Sequence, residues 1–253
     1  MKRAATLVLV SLTLLAFPAL PAFADLGMTM TMSMNAGGMA INATMETRLK
    51  AAKMRSDVKM MQQDMSVFFD ADAKEMWTAN HGTKEITATD PAALSGSFPV
   101  AFGEAAVSMK PNGQTRELLG RTCQGYTFEM TLPMTFGQEA VTMRMSGTVW
   151  IADKGPGVEE YKALSKAAAA SGFSTSLMAQ GPTTKALVEM QKTMADAGIP
   201  LAQEFQMTME GTGQAAAALA QFGNMTLVTT VTAISTDPIA DDVFALPAGY
   251  TKR

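Results

Sequence analysis

Hydrophobic and polar positions alternate with a period of two along much of this chain. From Ile41 to Lys50 the odd positions are mostly apolar and the even positions are polar, which is typical of an antiparallel strand with one solvated face. The break at residues 51–53 and the renewed alternation over 54–60 predict a hairpin. Further alternating segments that each predict a strand are 28–34, 65–69, 126–132, 141–151, 201–210 and 225–233.

Turn-forming residues separate these segments. The clusters at residues 70–73 and 80–82 predict turns. The Lys110-Pro111-Asn112-Gly113 segment predicts a tight turn, and therefore a hairpin that joins Val107 to Leu118. Residues 90–103 contain two prolines and predict a loop with at most a short edge strand.

After residues 155–157, the spacing of apolar residues changes to the period of a helix. Apolar stripes predict one helix from Val158 to about Gly172 and a second helix between Pro182 and Gly198. The stripes consist of Val158, Tyr161, Leu164 and Ala168 in the first helix and of Leu187, Met190 and Met194 in the second. The alanine-rich residues 214–221 fit either a third helix or a flexible loop. This order of elements predicts an α+β fold, in which two or three helices cover a single, strongly curved antiparallel sheet.

The composition narrows the possible classes of protein. Because 47% of the 253 residues are hydrophobic, the chain can form a sizeable core, and no internal repeat or linker divides it. With 20 basic and 23 acidic residues and no sustained basic run, it lacks the charge pattern of a nucleic-acid-binding protein. One histidine and one cysteine exclude zinc fingers and iron–sulfur frameworks.

The N-terminus has the features of a cleavable secretory signal. Two basic residues precede an apolar run from Leu7 to Phe17, and Ala22 and Ala24 are the small residues of a cleavage site. We therefore expect a signal peptide at residues 1–24 and a single mature domain at 25–253, with no transmembrane segment in the mature chain. No cysteine stands near the cut, so the sequence predicts a soluble periplasmic protein that is not a lipoprotein.

Four motifs, taken in their order along the chain, carry a family resemblance. They are Lys53-Met54-Arg55-Ser56-Asp57, Gly120-Arg121-Thr122-Cys123-Gln124-Gly125-Tyr126, Val149-Trp150-Ile151-Ala152-Asp153 and Asp242-Val243-Phe244-Ala245-Leu246-Pro247-Ala248-Gly249-Tyr250. They resemble a bacterial family of exported, methionine-rich domains of unknown function, which is similar to the LolA, LolB and LppX superfamily of periplasmic lipid and lipoprotein carriers. The resemblance spans nearly all of the mature chain. It implies a half-barrel sheet with helices over its concave side, and between them an apolar cavity for a lipid or a lipoprotein acyl chain.

Arg55 is the positional match to an arginine that reaches toward the covering helices in the lipoprotein carriers. The alternation places Arg55 on the same strand face as Asp57 and Lys59, opposite Met54 and Val58. A bulge would be needed to redirect it. We therefore interpret Arg55 as a surface charge and transfer no carrier mechanism to it.

Methionine is the most unusual feature of the composition, with 23 residues. The methionines of the strands lie where the pattern requires apolar residues, so core packing is one interpretation. A second interpretation is a cavity that repacks around variable apolar ligands, with Met30, Met32, Met45, Met54, Met143, Met145 and Met207 as its candidate lining. The third is Cu(I) binding by Met28, Met30, Met32 and Met34, or reversible scavenging of oxidants by exposed methionines.

Enzyme motifs are missing from the sequence. It has no nucleophile elbow, Walker loop or Rossmann fingerprint, and its acidic residues fall mostly on polar strand faces or in turns. We predict that His81 is a solvated turn residue, and that Cys123 is a buried, unreactive thiol turned inward by a bulge at Gly125. The sequence thus favours an exported, non-enzymatic binding protein for an apolar ligand, without a cofactor.

Overall fold

A computed structural model describes residues 25–61, 63–88, 100–170, 183–214, 217 and 223–253 of the chain. The strands among them are β1 (Leu26–Ala36), β2 (Met39–Lys50), β3 (Lys53–Met60), β4 (Gln63–Asp70), β5 (Glu75–Asn80), β6 (Glu85–Ala88), β7 (Val100–Phe102), β8 (Ala106–Leu118), β9 (Arg121–Phe136), β10 (Glu139–Ala152), β11 (Ile199–Gly211), β12 (Met225–Ser235) and β13 (Thr251–Lys252). The helices are α1 (Val158–Ala170), α2 (Thr183–Ala197) and a short 3-10 helix, Asp241–Phe244.

All the described strands belong to one sheet. Its spatial order is β13, β6, β5, β4, β3, β2, β1, β12, β11, β10 and β9, and both β7 and β8 pair with β9. Neighbouring strands are antiparallel, apart from β13, which runs parallel to β6. The sheet is open and curved, and helices pack on it, so the predicted α+β fold is confirmed.

The two long helices pack against one face of the sheet, which we call the inner face and define by Leu26 and Met28 of β1. Val158 and Leu164 of α1 are buried with these two residues, as the predicted helical stripe requires. Met190 and Met194 of α2 pack against a second buried cluster, formed by Phe128, Val149, Ile151 and Phe205. Neither helix is long and apolar enough to cross a bilayer.

The opposite face, the outer face, carries a smaller apolar cluster at β4 to β6. Phe68, Ala79 and Ile86 are buried there, and Trp77, Leu246 and Tyr250 pack against them. Leu246 and Tyr250 belong to the C-terminal tail, residues 239–253. Lys50 Nζ donates a 2.6 Å hydrogen bond to the Ile239 carbonyl, and β13 pairs with β6, so the tail is attached at both of its ends.

Most strands lie where the alternation predicts them, but the turn predicted at residues 110–113 is wrong. β8 continues past this segment with a bulge, because its pairing with β9 shifts between Pro111 and Thr115. The hairpin turn lies instead at Leu119 and Gly120, whose φ angles are 51° and 68°. Two consecutive left-handed residues are typical of a two-residue type I′ turn, and a leucine in that place gives no sequence signal.

Some of the remaining predictions are confirmed in part, and others concern residues outside the described part of the chain. The loop predicted at 90–103 ends in the short edge strand β7, while its residues 90–99 lie outside the described part of the chain. The predicted signal peptide and most of the alanine-rich segment 214–221 also lie outside it. The pattern does not predict β5 and β6, since each is short and lies between turn-forming residues.

Candidate functional site

The strand register gathers methionines on the inner face of the sheet. Met145 of β10 lies opposite Met130 of β9 and opposite Met207 of β11. Met207 in turn lies opposite Met225 of β12. Directly opposed residues of antiparallel strands point to the same face, with Cβ atoms about 5 Å apart. The four side chains therefore form a continuous row of thioethers across β9 to β12.

The register also connects this row to the methionines of β1 and β2. Met34 lies opposite Leu227, which shares its face with Met225, and Met30 lies opposite Met45. The inner face thus holds all seven methionines that the sequence suggests as a cavity lining, namely Met30, Met32, Met45, Met54, Met143, Met145 and Met207.

Two of these methionines pack into the core beneath α1. Met30 and Met54 contact the cluster that contains Leu26, Met28 and Leu49. Met28 itself is only 7% exposed. Met30 and Met54 therefore form part of a packed core at this end of the inner face.

Two of the remaining candidates, Met143 and Met145, lie beside α2. Met143 packs against a buried cluster that contains Leu132 and Val141, and Met145 packs against the cluster of Phe128, Val149, Ile151 and Phe205. Met32, Met45 and Met207 are half-buried. The structure therefore places Met30 and Met54 in a packed core beneath α1 and Met143 and Met145 beside α2, while Met32, Met45 and Met207 lie between neighbouring strands of the inner face.

A groove of about 760 Å³ opens between β8 and α2. Val107 and Met109 of β8 and Ala186 and Met190 of α2 form its apolar walls. These four residues also pack against the clusters that hold Met143 and Met145. β8 pairs with β9 alone among the described strands, so its other edge is open. The start of β8 and the two residues before it, positions 104–110, line the groove.

The charged residues of the groove are Glu104, Lys110 and Glu189. All three are exposed. Sequence reasoning missed this groove, because Val107 and Ala186 are ordinary apolar positions of a strand and a helix. The prediction that Met190 and Met194 share one helical face was the available signal, and it did not indicate which strand the helix covers.

His81 lies in the predicted turn, but it is only partly solvated. His81 is half-buried on the outer face, with Nε2 2.6 Å from Ser66 Oγ and Nδ1 2.8 Å from Tyr250 Oη. Ser66 is 0% exposed and donates a 2.5 Å hydrogen bond to Asp57 Oδ1. A neutral His81 with its proton on Nε2 satisfies this chain, because Tyr250 then donates to His81 and His81 donates to Ser66.

Asp57 is the common acceptor of this outer-face network. Arg48 donates to it at 2.6 Å and Arg55 at 2.8 Å. Burial raises the pKa of the Asp57 carboxyl, but the hydrogen bonds from Ser66, Arg55 and Arg48 outweigh burial and leave the pKa below its usual value. The buried Ser66 hydroxyl is therefore a structural link between His81 and Asp57, and it is not accessible as a nucleophile.

Arg55 lies on the outer face, as the alternation predicts, and it does not approach the helices. It is more than a surface charge, however. Its Nη1 donates to the Val243 carbonyl of the C-terminal tail at 3.1 Å, and its guanidinium lies 5.2 Å from the centre of the Phe68 ring. Arg55 thus joins Asp57 to the tail.

Cys123 is buried, as predicted, with 0% exposure and with Leu26, Ala152 and Val158 as members of its cluster. Burial raises the pKa of its thiol, which disfavours the reactive thiolate. The predicted bulge at Gly125 is wrong, because Gly125 pairs in register with Trp150 of β10.

Gly125 instead makes room for the bulge of β8. A Cβ atom at Gly125 would lie 2.6 Å from Asn112 Oδ1, which is too close for a real contact. The irregularity that the sequence suggests on β9 therefore belongs to the neighbouring strand.

The described residues contain no group of three or more His, Cys, Asp or Glu side chains that could hold a metal ion. Met28, Met30, Met32 and Met34 follow one another on alternate positions of β1. Alternate residues of a strand lie about 7 Å apart, so these four thioethers are spread along the strand and do not converge on one point. Met30 and Met45, which oppose each other on β1 and β2, are the better placed pair for a soft metal ion.

Comparison with known proteins found neither a family model nor a curated protein that matches the chain. Similar solved structures include a DUF1329 family protein from Desulfovibrio piger, with 10% identity, a TM-score of 0.32 and coverage of 89% of this chain and 91% of that one. A putative outer membrane lipoprotein-sorting protein domain from Vibrio parahaemolyticus has 9% identity, a TM-score of 0.33 and coverage of 88% and 90%. A LolA superfamily protein from Nitrosomonas europaea has 6% identity, a TM-score of 0.30 and coverage of 91% and 92%. The chain is thus similar to DUF1329 and LolA superfamily structures, as its motifs suggest, and the likeness concerns the fold alone.

Proposed function

We propose that this protein is an exported, non-enzymatic binding protein for a long-chain acyl ligand, and that the ligand lies in the groove between β8 and α2. The observation that carries this proposal is the groove itself. Its volume of about 760 Å³ is in the range of small-molecule sites, roughly 300–1,000 Å³, and its walls include Met109 and Met190. Methionine side chains are unbranched and adapt to chains of different shape.

The surroundings of the groove favour an amphiphile over a purely apolar compound. An acyl chain along the groove would contact the thioethers of Met109 and Met190 and the apolar side chains of Val107 and Ala186. Lys110 and Glu189 are exposed, so a polar head group beside them would stay in contact with water.

The test is the lipid content of protein purified from its host without detergent, measured by mass spectrometry, together with titration of a fluorescent long-chain fatty acid. Ala186→Trp fills the groove without adding a charge, and Met190→Glu places a carboxylate in its wall. We expect either change to weaken fatty-acid binding at least about tenfold, since burial of several methylene groups is lost at about 0.8 kcal/mol each. Met61→Glu is the matched control, because Met61 is 76% exposed and lies outside the groove.

The outcomes separate this proposal from its alternatives. Binding that survives both groove variants would contradict the site, and protein that neither carries lipid nor binds the fatty acid would contradict the function. Cu(I) retained in stoichiometric amount, and lost when Met28, Met30 and Met32 are all replaced by leucine, would indicate the metal-binding function instead. These replacements keep the face apolar, so they test the sulfur atoms and not the core.

Export is part of the proposal and has its own measurement. The signal-like features of residues 1–24 support cleavage after Ala24, which would make Asp25 the first residue of the mature chain. Asp25 is held in the fold, because its carboxylate accepts a 2.6 Å hydrogen bond from the Ile239 backbone N–H. We expect the intact mass of protein from the native host to match a chain that begins at Asp25. A mass that includes residues 1–24 would contradict export by this route.

A further inference from the structure

Four methionines of β10 and β11 occupy the corners of a rectangle on the inner face. The strand register forms two opposed pairs, Met143 with Met209 and Met145 with Met207. Opposed Cβ atoms of antiparallel strands lie about 5 Å apart, and alternate residues of one strand lie about 7 Å apart. No two of the four Cβ atoms are therefore more than about 9 Å apart, and each lies about 4 Å from a common centre. We call these four residues the methionine rectangle.

We propose that the methionine rectangle binds a soft monovalent metal ion, Cu(I). Thioether sulfur is a soft ligand that selects Cu(I), and the three rotatable bonds of a methionine side chain allow the sulfur to turn from its corner toward the centre. Met28 and Met34 of β1, by contrast, lie about 20 Å apart along a single strand. Because the thioethers of the rectangle come from two neighbouring strands, several of them can reach one ion.

The residue types of β10 and β11 change at the rectangle. Other inner positions of these strands carry the branched or aromatic residues Val141, Val149 and Phe205, which sheets favour and which are at most 8% exposed. The four positions of the rectangle are all methionine, and each of these side chains is only half-buried. Branched side chains thus fill the core on both sides of the rectangle, whereas its thioethers remain accessible to an ion from solution.

The surroundings of the rectangle favour an ion of single charge. The residues that the register places next to it on the inner face are all apolar, namely Met130, Leu132, Val141, Gly147, Phe205, Gly211 and Met225. Thioethers are neutral, so neither the rectangle nor these neighbours offset the charge of a bound ion. The cost of moving an ion out of water rises steeply with its charge, so this environment disfavours a divalent ion.

Two further methionines extend the rectangle across the neighbouring strands. Met130 of β9 lies opposite Met145, and Met225 of β12 lies opposite Met207. They provide additional thioethers within reach of an ion at this edge of the rectangle. None of the four corner residues lines the groove between β8 and α2, so the proposal does not depend on the acyl ligand.

The experiment is a titration of the purified protein with Cu(I) under reducing conditions, in competition with a coloured Cu(I) chelator. We expect one Cu(I) per chain, and we expect excess Zn(II) not to displace it, because zinc sites in proteins use thiolate, imidazole and carboxylate ligands. Met145→Leu or Met207→Leu alone should weaken Cu(I) binding at least about tenfold, since loss of a group that only orients a metal ligand already costs about 10- to 100-fold. Replacement of all four corner residues by leucine should abolish binding.

The matched control is replacement of Met28, Met30, Met32 and Met34 by leucine. It removes the same number of thioethers from one strand and should leave the Cu(I) affinity unchanged. Cys123→Ala is a second control, because a thiol is also a soft ligand but Cys123 is 0% exposed. Both single variants of the rectangle exchange side chains of similar volume, so they test the sulfur atoms even if the fourfold variant folds poorly.

Nuclear magnetic resonance of protein with 13C-labelled methionine methyl groups locates the ion directly. We expect Cu(I) to shift the methyl resonances of the four corner residues, assigned with the single Met→Leu variants, more than that of the exposed Met61. Unshifted resonances at the corners would overturn the proposal. An affinity that is unchanged in Met145→Leu and Met207→Leu, or that is lost only in the β1 control or in Cys123→Ala, would overturn it as well.

Discussion

Single polar residues on the outer face determine how the C-terminal tail is held. Ser66 is fully buried between Asp57 and His81, and His81 contacts Tyr250 of the tail. Asp57 also binds Arg55, which donates to the tail carbonyl of Val243. Two hydrogen-bonded paths therefore run from one carboxylate to the tail, and both depend on its negative charge.

Replacement of this carboxylate should show its contribution as a dependence on pH. The pKa of Asp57 is lowered in the folded protein, so its ionised form stabilises the fold above the unfolded-state pKa of about 3.9, and this contribution is lost as the pH falls through the folded-state pKa. We expect Asp57→Asn to lower the free energy of unfolding by about 1–3 kcal/mol at neutral pH. The difference from the wild type should shrink below about pH 4, as measured by urea unfolding across the acidic range.

The control for this prediction is Glu210→Gln. Glu210 pairs with Arg144 at 3.0 Å, but both side chains are more than half exposed. An exposed pair of this kind contributes about 0–1 kcal/mol, so the control should be nearly as stable as the wild type at every pH. A loss for Asp57→Asn that stays constant from neutral to strongly acidic pH would argue against an ionised Asp57 as the cause.

At the scale of strands and helices, the sequence predicts most of the architecture because alternation is a local signal. The hairpin of β2 and β3, the long strands β9 and β10, and the helix at Val158 follow from the spacing of apolar residues over a few turns or pleats. The β8–β9 turn does not follow from this spacing, because Leu119 occupies a position where glycine or asparagine would be expected. The bulge of β8 at Asn112 cannot be predicted from a local pattern either, because it depends on the space that Gly125 leaves on the neighbouring strand β9.

The candidate site depends mostly on contacts between elements that are distant in the sequence. The sequence therefore predicts the site less well than it predicts the strands and helices. Alternation places Met143 and Met145 on the apolar face of β10, but the groove exists because α2 lies beside the open edge of β8. Residues of β8 and α2 are about 80 positions apart in the sequence. In the same way, the partner of His81 is Tyr250, 169 residues further along the chain, so composition around the turn gives no sign of it.

At the scale of the whole molecule, the two faces of the sheet are covered by different parts of the chain. Helices α1 and α2 pack on the inner face, and the C-terminal tail packs on the outer face at β4 to β6. The groove between β8 and α2 belongs to the half of the sheet that is distant from β6 in strand order. The tail and the groove should therefore be separable by experiment.

Truncation of the tail tests this separation. Removal of residues 246–253 deletes Leu246 and Tyr250 and uncovers Phe68, Ile86 and Trp77. We expect the free energy of unfolding to fall by about 2–4 kcal/mol, because burial of one such apolar side chain contributes about 1.5–3 kcal/mol and the His81 hydrogen bond is also lost. Removal of residues 251–253 alone should lower it by only about 1 kcal/mol, since it breaks the pairing of β13 with β6 but leaves Leu246 and Tyr250 in place. Urea unfolding measures both changes, and binding of the fluorescent fatty acid should be unchanged in the longer truncation at a temperature where it is still folded.

Loss of fatty-acid binding by the folded truncated protein would show that the outer face supports the groove. Two truncations of equal stability would show that Leu246 and Tyr250 do not hold the tail.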